Sequence, residues 1–433
     1  MFATSNDEVE SSHQPRSASA SSGGLILLTL AGLQFINLVD FMIVMPLGPQ
    51  LQADLGIRAH QFGWIVSSYT LAAGVAGFFS AAWLDRLPRK ATYIVLSLGL
   101  IAGTAACGLA TSYPFLLATR CITGGFGGVH GALALAIVAD VFPTERRGHA
   151  NSMLMLAFGV ASVAGVPLGI AVGTAFGWAM PFYLLALAGL PLAVLAGWSL
   201  PAVPPPAVPP PAVPPPAVPP HRDATSRNPL DRLLETLTQP AHYRAFLLIG
   251  LMMAGGFLVI PYISIAFVAS GGVTEAELST VFVAGGLLTL VCTPLIGRAV
   301  DRSGGLRVFL CLASVSAVMM LVLTHVGRVG IVAAASLTAM LMAANSGRMV
   351  AAMALIMSSI EPRYRGSFMS ANSAVQHVAC GLGTAVGGMM LEGGTGEPLR
   401  NFGTVGMLAA GTTFASLVVA GRIRPLDAAG SPG

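Results

Sequence analysis

The chain has 433 residues, of which 55% are hydrophobic and only 9% are charged. Soluble globular proteins carry about 25% charged residues, so this composition excludes an ordinary soluble protein and indicates a membrane protein. The formal net charge of +4 carries little information by itself, and the distribution of the basic residues is more informative.

The first segment, residues 1–23, is polar and rich in serine. A secretory signal begins with basic residues and continues into a short apolar core with a cleavage site, and residues 1–23 do not follow that pattern. We therefore expect a cytoplasmic tail here. We also expect the apolar segment that follows to remain as a spanning helix.

That apolar segment, residues 25–50, contains a single carboxylate, Asp40. An ionised side chain in hydrocarbon costs roughly 3 kcal/mol or more and is usually kept for function. Asp40 is therefore a candidate site for a proton or a substrate.

Twelve segments are long and apolar enough to cross a membrane, because a spanning helix needs about 20 apolar residues. They lie roughly at 25–50, 61–84, 91–110, 114–137, 149–175, 178–199, 244–269, 277–298, 307–325, 330–356, 367–391 and 402–421. The sequence thus predicts an all-α membrane protein with two six-helix bundles around a central cavity. The bundles occupy residues 24–200 and 244–421, and a second cytoplasmic tail occupies residues 422–433.

The segment between the bundles, residues 201–243, begins with four copies of Pro-Ala-Val-Pro-Pro at residues 201–220. Proline fixes the backbone φ angle and lacks the N–H donor that an α-helix needs, so this run favours an extended polyproline II rod. Twenty residues at about 3.1 Å each would reach roughly 60 Å. The rod is either a docking site for a partner or a cytoplasmic spacer between the bundles, and we favour the spacer.

Removing residues 201–220 should leave the protein's activity largely unchanged, because a low-complexity proline run cannot bury a core and the remaining linker can still join the bundles. The measurement is the activity of the deletion variant at matched levels of membrane-inserted protein. Loss of activity despite normal insertion would contradict the spacer interpretation.

Basic residues predict the orientation. If both termini are cytoplasmic, 17 of the 22 lysines and arginines fall on the cytoplasmic side, three fall on the other side and two lie within spans. Cytoplasmic loops carry this excess in membrane proteins generally. We therefore expect a multi-pass protein of a bacterial cytoplasmic membrane with both termini inside.

The two bundles also repeat in sequence. The pair Asp85 and Arg86 after the second span recurs as Asp301 and Arg302 after the eighth, at an offset of about 217 residues. A turn with one proline and two arginines before the fifth span likewise recurs before the eleventh. Six spans duplicated in parallel are typical of transporters, in which the substrate binds between the halves.

These features resemble the major facilitator superfamily over nearly the whole chain. The family's best-known signature is a Gly-x-x-x-Asp-Arg-x-Gly-Arg-Lys/Arg loop between spans two and three. The matching residues of the first half are Asp85, Arg86, Arg89 and Lys90, and those of the second half are Gly297, Asp301, Arg302 and Gly304. Ala81 and Pro88 stand where the family usually has glycine. The resemblance implies that these loops form a cytoplasmic gate.

Two further signatures mark particular branches of that family. Arg120, with glycine four positions later, matches the span-four pattern of proton-coupled members. Gly165, Pro167 and Gly169 match the span-five pattern of exporters. The whole resembles the drug-efflux and sugar-efflux branch, close to arabinose-efflux permeases, although Ala179 replaces the arginine usual there.

Depth arithmetic brings Asp40 and Arg120 together. At 1.5 Å per residue, Asp40 lies roughly 22 Å from the inner start of span one, and Arg120 roughly 9 Å from the outer start of span four. These two depths agree, so the two charges are expected to pair. The pair either couples transport to proton exchange or holds the helices in register, and the resemblance favours coupling.

Three further ionisable residues, His130, Arg348 and His377, also lie within spans. A histidine titrates near physiological pH and could relay protons, but a lone buried histidine is more often a satisfied hydrogen-bonding residue. Arg348 either binds an anionic substrate or reaches toward lipid phosphates. All three are retained as candidate cavity residues.

No catalytic motif, metal-ligand spacing or nucleotide-binding loop is present in the sequence, so we expect no enzyme activity, no cofactor and no nucleic-acid partner. The expected partners are protons, a small-molecule substrate and the bilayer, and the expected state is a monomer. The sequence therefore predicts a proton-coupled exporter of small organic molecules, drug-like or sugar-like. An uptake symporter or a non-transporting membrane receptor remains as an alternative.

Overall fold

The computed structural model describes residues 20–80, 84, 87–201, 238–361, 364–394 and 396–423. The described residues are almost entirely helical and contain no β-strand. The helices are α1 (Ala20–Ile43), α2 (Gly48–Leu55), α3 (Ala59–Ser80), α4 (Arg89–Gly108), α5 (Tyr113–Val141), α6 (Thr144–Val160), α7 (Val166–Phe176), α8 (Met180–Ser199), α9 (Pro240–Val259), α10 (Ile263–Ala269), α11 (Glu275–Ser303), α12 (Gly305–His325), α13 (Ile331–Ser359), α14 (Arg365–Met390) and α15 (Phe402–Ala420). The repeats at 202–220, with most of the linker, lie outside the described residues.

Proline accounts for the places where the spans differ from simple helices. The first span does not run to residue 50 as expected. It ends at Ile43 ahead of Pro46 and turns into the short α2. The fifth span consists of α6, a π-helical turn at Ala161–Gly165 and α7, and Pro167 follows that turn. A proline lacks the N–H that an α-helix needs, so the hydrogen-bond pattern is interrupted locally.

Eleven helical segments in the described part of the chain are long and apolar enough to cross a membrane. The twelfth expected span, α14, is long enough but carries serine, asparagine, glutamine and histidine side chains. It packs against α3 and α9, so protein rather than lipid surrounds much of it. A spanning helix of this kind is tolerated because its polar groups face protein or a cavity.

The packing of the spans shows the predicted parallel repeat. In the first half α5 packs on α3 and α4, and α8 packs on α1 and α4. In the second half α13 packs on α11 and α12, and α15 packs on α9 and α12, which are the same pairs of spans six positions later. The halves meet where α3 contacts α14 and where α7 contacts α11. The expected fold of two six-helix bundles is therefore confirmed.

The two ends of the molecule are packed differently. We call the end where α1 begins and α15 finishes the tail side, and the opposite end the far side. One apolar core on the far side contains residues of both halves, among them Leu47, Phe62, Tyr262 and Ile265. Toward the tail side each half has a core of its own. Within the described residues the halves thus share an apolar core at the far side and have separate cores at the tail side, from which we infer a state that is closed at the far side and open at the tail side.

The expected cytoplasmic gate lies at this open end. Asp301 and Arg302 are exposed, and within the described residues no hydrogen bond or ion pair joins Asp301 to the start of α6. A closed gate is expected to place Asp301 near Gly148 and His149 at the start of the fifth span, but a Cβ atom at Gly148 would meet nothing within 4 Å in this state. Asp85 and Arg86 lie outside the described residues. Because a gate contact forms only when the tail side closes, its existence stays a prediction.

Candidate functional site

Asp40 and Arg120 form the centre of the candidate site. Arg120 Nη1 donates to Asp40 Oδ2 at 2.9 Å and to the Asp40 carbonyl oxygen at 3.2 Å. The exposed fraction is 0% for Asp40 and 1% for Arg120, so the pair is removed from solvent. The ion pair that depth arithmetic predicts is therefore present. A buried pair of this kind is held mainly by each partner compensating the charge of the other.

Two neighbouring spans hold the pair in place. Thr104 Oγ1 on α4 donates to Asp40 Oδ1 at 3.0 Å, so both carboxylate oxygens have a donor. The Arg120 guanidinium carbon lies 4.4 Å from the centroid of the Tyr69 ring on α3. An arginine over an aromatic face gains cation–π attraction, which is strongest away from water. Arg120 therefore has both a counter-ion and an aromatic support.

A hydrogen bond and close helix packing hold Tyr69 in position. Its hydroxyl donates to Asn37 Oδ1 at 2.9 Å, and Asn37 Nδ2 donates to the Gly127 carbonyl oxygen at 3.2 Å. A Cβ atom at Gly124 would lie 2.7 Å from Tyr69 Cα, so only glycine lets α5 approach α3 this closely. The glycines that follow Arg120 thus bring the Tyr69 ring to it.

The site also touches the second half through aromatic rings. Phe41, next to Asp40, stacks on Tyr69 with centroids 5.4 Å apart and on Phe257 of α9 with centroids 6.2 Å apart. Phe257 occupies the position that the 217-residue offset assigns to Asp40. The repeat therefore sets an aromatic residue in the second half where the first half has its carboxylate.

His130 occupies a separate place inside the first half. It is fully buried, its Nε2 lies 3.2 Å from Ser97 Oγ, and its ring lies 4.5 Å from the ring of Tyr93. Its partners belong to α4, and its Nδ1 atom has no partner among the described residues. This contact set places His130 between α4 and α5, away from the partners of Asp40 and Arg120.

Arg348 and His377 lie in the second half. Arg348 is 2% exposed, and its Nη2 donates to the Met252 carbonyl oxygen of α9 at 3.1 Å. His377 on α14 is half-buried and makes no hydrogen bond to another described residue. Neither residue contacts the Asp40–Arg120 pair, so the candidate residues form three groups rather than one.

The glycines of the expected exporter motif form a packing surface for α1. Side chains of α1 and the turn after it approach glycines four residues apart in the fifth span: Val39 meets Gly165, Ile43 meets Gly169 and Leu47 meets Gly173. Pro167 lies between the first two of these glycines, and its carbonyl oxygen accepts a hydrogen bond from Ser279 Oγ of α11 at 3.0 Å. The motif thus links the site-bearing helix α1 to the contact between the two halves.

The loop signature contributes one ion pair within the first half. Arg89 Nε lies 3.1 Å from Asp140 Oδ2 at the tail-side end of α5, and Lys90 follows in α4. The sequence did not single out Asp140, although an acid at a helix end facing a basic loop is a usable signal. Among the described residues no group of three or more histidine, cysteine or acidic side chains could hold a metal ion.

Sequence reasoning also missed Thr104, Tyr69 and Asn37. Each is a polar residue in an apolar span, and Asn37 lies one helical turn before Asp40, where residues share a face. That spacing could have identified Asn37. Nothing in the sequence alone links Thr104 or Tyr69 to Asp40, because those contacts depend on how the helices pack.

Comparisons with known proteins agree with this architecture. The family model described as Major Facilitator Superfamily matches residues 30–258 and 245–433. A bacterial homolog of the human lysosomal transporter Spinster, in an inward-facing conformation, superposes with a TM-score of 0.68 at 16% identity over 94% of this chain and 96% of that one. The nucleoside transporter NupG gives 0.68 at 14% identity over 92% and 99%. These structures are similar in fold.

Relatives in sequence include two resistance proteins. The chloramphenicol resistance protein of Streptomyces lividans is 27% identical over 263 residues, which are 61% of this chain and 63% of that protein. Multidrug resistance protein 3 of Bacillus subtilis is 30% identical over 165 residues, which are 38% of this chain and 32% of that protein. In both, the match spans less than two thirds of the relative's length.

Proposed function

Because the chain belongs to the Major Facilitator Superfamily, whose model matches almost all of it, we propose that it exports small organic molecules in exchange for protons. The observation that carries this proposal is the Asp40–Arg120 ion pair, which is removed from solvent within the membrane-spanning part of the fold. Polytopic proteins keep ionisable groups at such depth chiefly for ion pathways and proton relays.

The proposed coupling uses the charge of Asp40. When Asp40 is ionised, it neutralises Arg120. When a proton from the far side neutralises Asp40, Arg120 loses its counter-ion and the balance between conformations changes. The described state is open at the tail side, and in it the pair is intact. We propose that opening of the far side lets Asp40 take up its proton, and that the proton leaves toward the tail side.

Export, rather than uptake, is supported by two observations. Gly165, Pro167 and Gly169 follow the pattern of exporters, and they tie α1 to the contact between the halves. The names of the two resistance proteins point the same way. We further propose that the tail side faces the cytoplasm of a bacterium, as the excess of basic residues there indicates.

The test is transport in inverted membrane vesicles, which expose the cytoplasmic face. Candidate compounds come from a resistance screen of antibiotics, dyes and sugars, with chloramphenicol included. An acid interior should drive accumulation of the exported compound, and a protonophore should abolish it. Accumulation driven by the opposite gradient would indicate an uptake symporter, and binding without any flux in proteoliposomes would indicate a receptor.

The gate gives a second expected result. Cysteines introduced at His149 and Asp301 should crosslink poorly in the tail-open state and readily when the tail side closes, because closure brings the start of α6 and the end of α11 together. In the unsubstituted protein the Asp301 anion is favoured at that helix N-terminus. A substitution that prevents the far side from closing should shift the molecule to the state in which the tail side is closed. A Cβ atom at Gly63 would lie 3.2 Å from Gly388 Cα and would overlap the Tyr262 hydroxyl, so Gly63→Leu should shift the molecule to the far-open state.

The readout is the yield of crosslinked protein after treatment with a short bifunctional maleimide, with the exposed native cysteines replaced. Gly411→Leu adds the same side chain to α15 at a position where nothing lies within 4 Å, so it serves as the matched control. Equal yields in the Gly63→Leu and Gly411→Leu backgrounds would refute the gate.

A further inference from the structure

Arg348 is a buried cation without a counter-ion. Its Nη2 donates to one carbonyl oxygen, that of Met252, but its Nε and Nη1 atoms have no hydrogen-bond partner in the described part of the chain. No described acidic residue forms an ion pair with it. A guanidinium carries five N–H donors, and leaving several of them unmet in a buried place is costly.

The contrast with Arg120 shows how unusual this is. Both arginines are at most 2% exposed, but Arg120 has the Asp40 carboxylate and a tyrosine face, whereas Arg348 has a single neutral acceptor. With Asp40 ionised, these three side chains sum to one positive charge. A buried charge is normally retained only when something compensates it.

Lipid phosphates outside the protein do not provide that compensation. Arg348 is 11 residues from the tail-side end of α13 and 17 from its far-side end, or about 17 Å and about 26 Å. Its side chain is directed onto α9 rather than toward either end of the helix. Snorkelling toward headgroups requires a residue near a helix end, so Arg348 does not fit that role.

A glycine of α9 lies against the guanidinium. A Cβ atom at Gly256 would be 3.0 Å from Arg348 Nη2, so α9 packs closely on the guanidinium and any other residue there would crowd it. The donors that remain unmet, Nε and Nη1, are buried together with the charge. Unmet donors and an uncompensated charge together describe a site that is completed by an acceptor-rich, negatively charged group.

We propose that Arg348 binds an anionic group of the transported substrate, a carboxylate or a phosphate. Guanidinium donors match both groups and form stronger hydrogen bonds with them than with neutral acceptors. This assignment rests on the proposed export function. It divides the chemistry between the halves, because the proton binds in the first half at Asp40 and the substrate's anion binds in the second.

The test compares 1-naphthylacetate with 1-naphthylacetamide, which differ only in the charged group. Purified protein in nanodiscs of phosphatidylcholine is titrated with each, and apparent affinity is read from the shift of the thermal unfolding midpoint. The carboxylate should bind at least about tenfold more tightly than the amide to the wild type. Arg348→Gln should remove this preference, and Arg348→Lys should retain part of it.

Matched controls separate the site from general effects. Arg307→Gln removes an exposed arginine of α12 and should keep the preference. Gly256→Ala should weaken carboxylate binding several-fold with the charge intact, whereas Gly250→Ala, on the same helix with nothing within 4 Å, should not. If Arg348→Gln does not fold, Gly256→Ala and Arg348→Lys decide the question.

Two results would overturn the proposal. One is an equal response of the wild type to the carboxylate and the amide, including no response to either. The other is loss of the preference when phosphatidylglycerol is added to the nanodiscs, which would assign the site to a lipid headgroup. Because no proton gradient is present, failure here leaves proton-driven export untouched, and that function is decided separately by the inverted-vesicle assay.

Discussion

Proton-driven efflux should fall to background in the Asp40→Asn variant, while downhill movement of the same compound across the membrane persists. Asparagine retains the shape of aspartate, but its one amide oxygen can accept from only one of Thr104 and Arg120, the two donors to the Asp40 carboxylate in the structure. It cannot bind or release a proton. The variant should therefore lose the coupling to protons and keep the substrate pathway. The measurement compares uphill accumulation with substrate counterflow in the same vesicles.

Stability needs a separate control, because Asp40→Asn leaves Arg120 buried without a counter-ion. Breaking a buried pair from one side costs about 3–5 kcal/mol, whereas removing both charges costs much less. Asp40→Asn with Arg120→Gln should thus be more stable than Asp40→Asn alone and equally unable to transport uphill. Asp54→Asn, at an exposed position, should transport normally. Uphill efflux by Asp40→Asn would remove Asp40 from the coupling mechanism.

Replacement of Gly124 by alanine should disrupt the site through packing alone. The added methyl group would overlap the Tyr69 backbone, so α3 and α5 would have to separate. Overpacking of a close contact destabilises a protein by about 1–3 kcal/mol. The separation would also move the Tyr69 ring away from Arg120. We expect a lower unfolding midpoint and reduced transport per inserted molecule.

The neighbouring residue provides the control for this change. Gly125 faces away from α3, with nothing within 4 Å of a Cβ atom, and it is half-buried. Gly125→Ala should therefore leave both the unfolding midpoint and transport near the wild-type values, and the small gain in helix propensity acts in its favour. Equal effects of the two substitutions would show that close approach of α3 and α5 does not support the site.

The Asp40–Arg120 pair could be predicted from the sequence because the position of a residue along a spanning helix determines its depth in the membrane. Each residue adds a fixed rise, so residue counts from opposite ends of two spans give comparable depths. The halves and their repeat were visible for a related reason, since hydrocarbon admits few alternatives to an apolar helix. Depth and topology are therefore properties that one segment carries by itself.

Lateral position could not be predicted in the same way. Residue counts place His130 in the same helix as Arg120, but they do not show that it packs between α4 and α5 against Tyr93. The same limit applies to Tyr69, which reaches Arg120 because α3 and α5 approach at Gly124. The isolation of Arg348 is also a property of packing, since it depends on which residues α9 presents to α13.

The apolar core shared by the two halves at the far side determines which side of the substrate-free transporter is closed. Residues such as Leu47 and Ile265 are buried together only while the far side is shut, whereas the tail-side cores stay buried within each half. Smaller side chains in the far-side core would change the equilibrium constant between the far-closed and tail-closed states, by about tenfold for each 1.4 kcal/mol. Smaller side chains in the tail-side cores would destabilise both states equally. Evolution can thus retune which face the empty protein presents without touching a single charged residue.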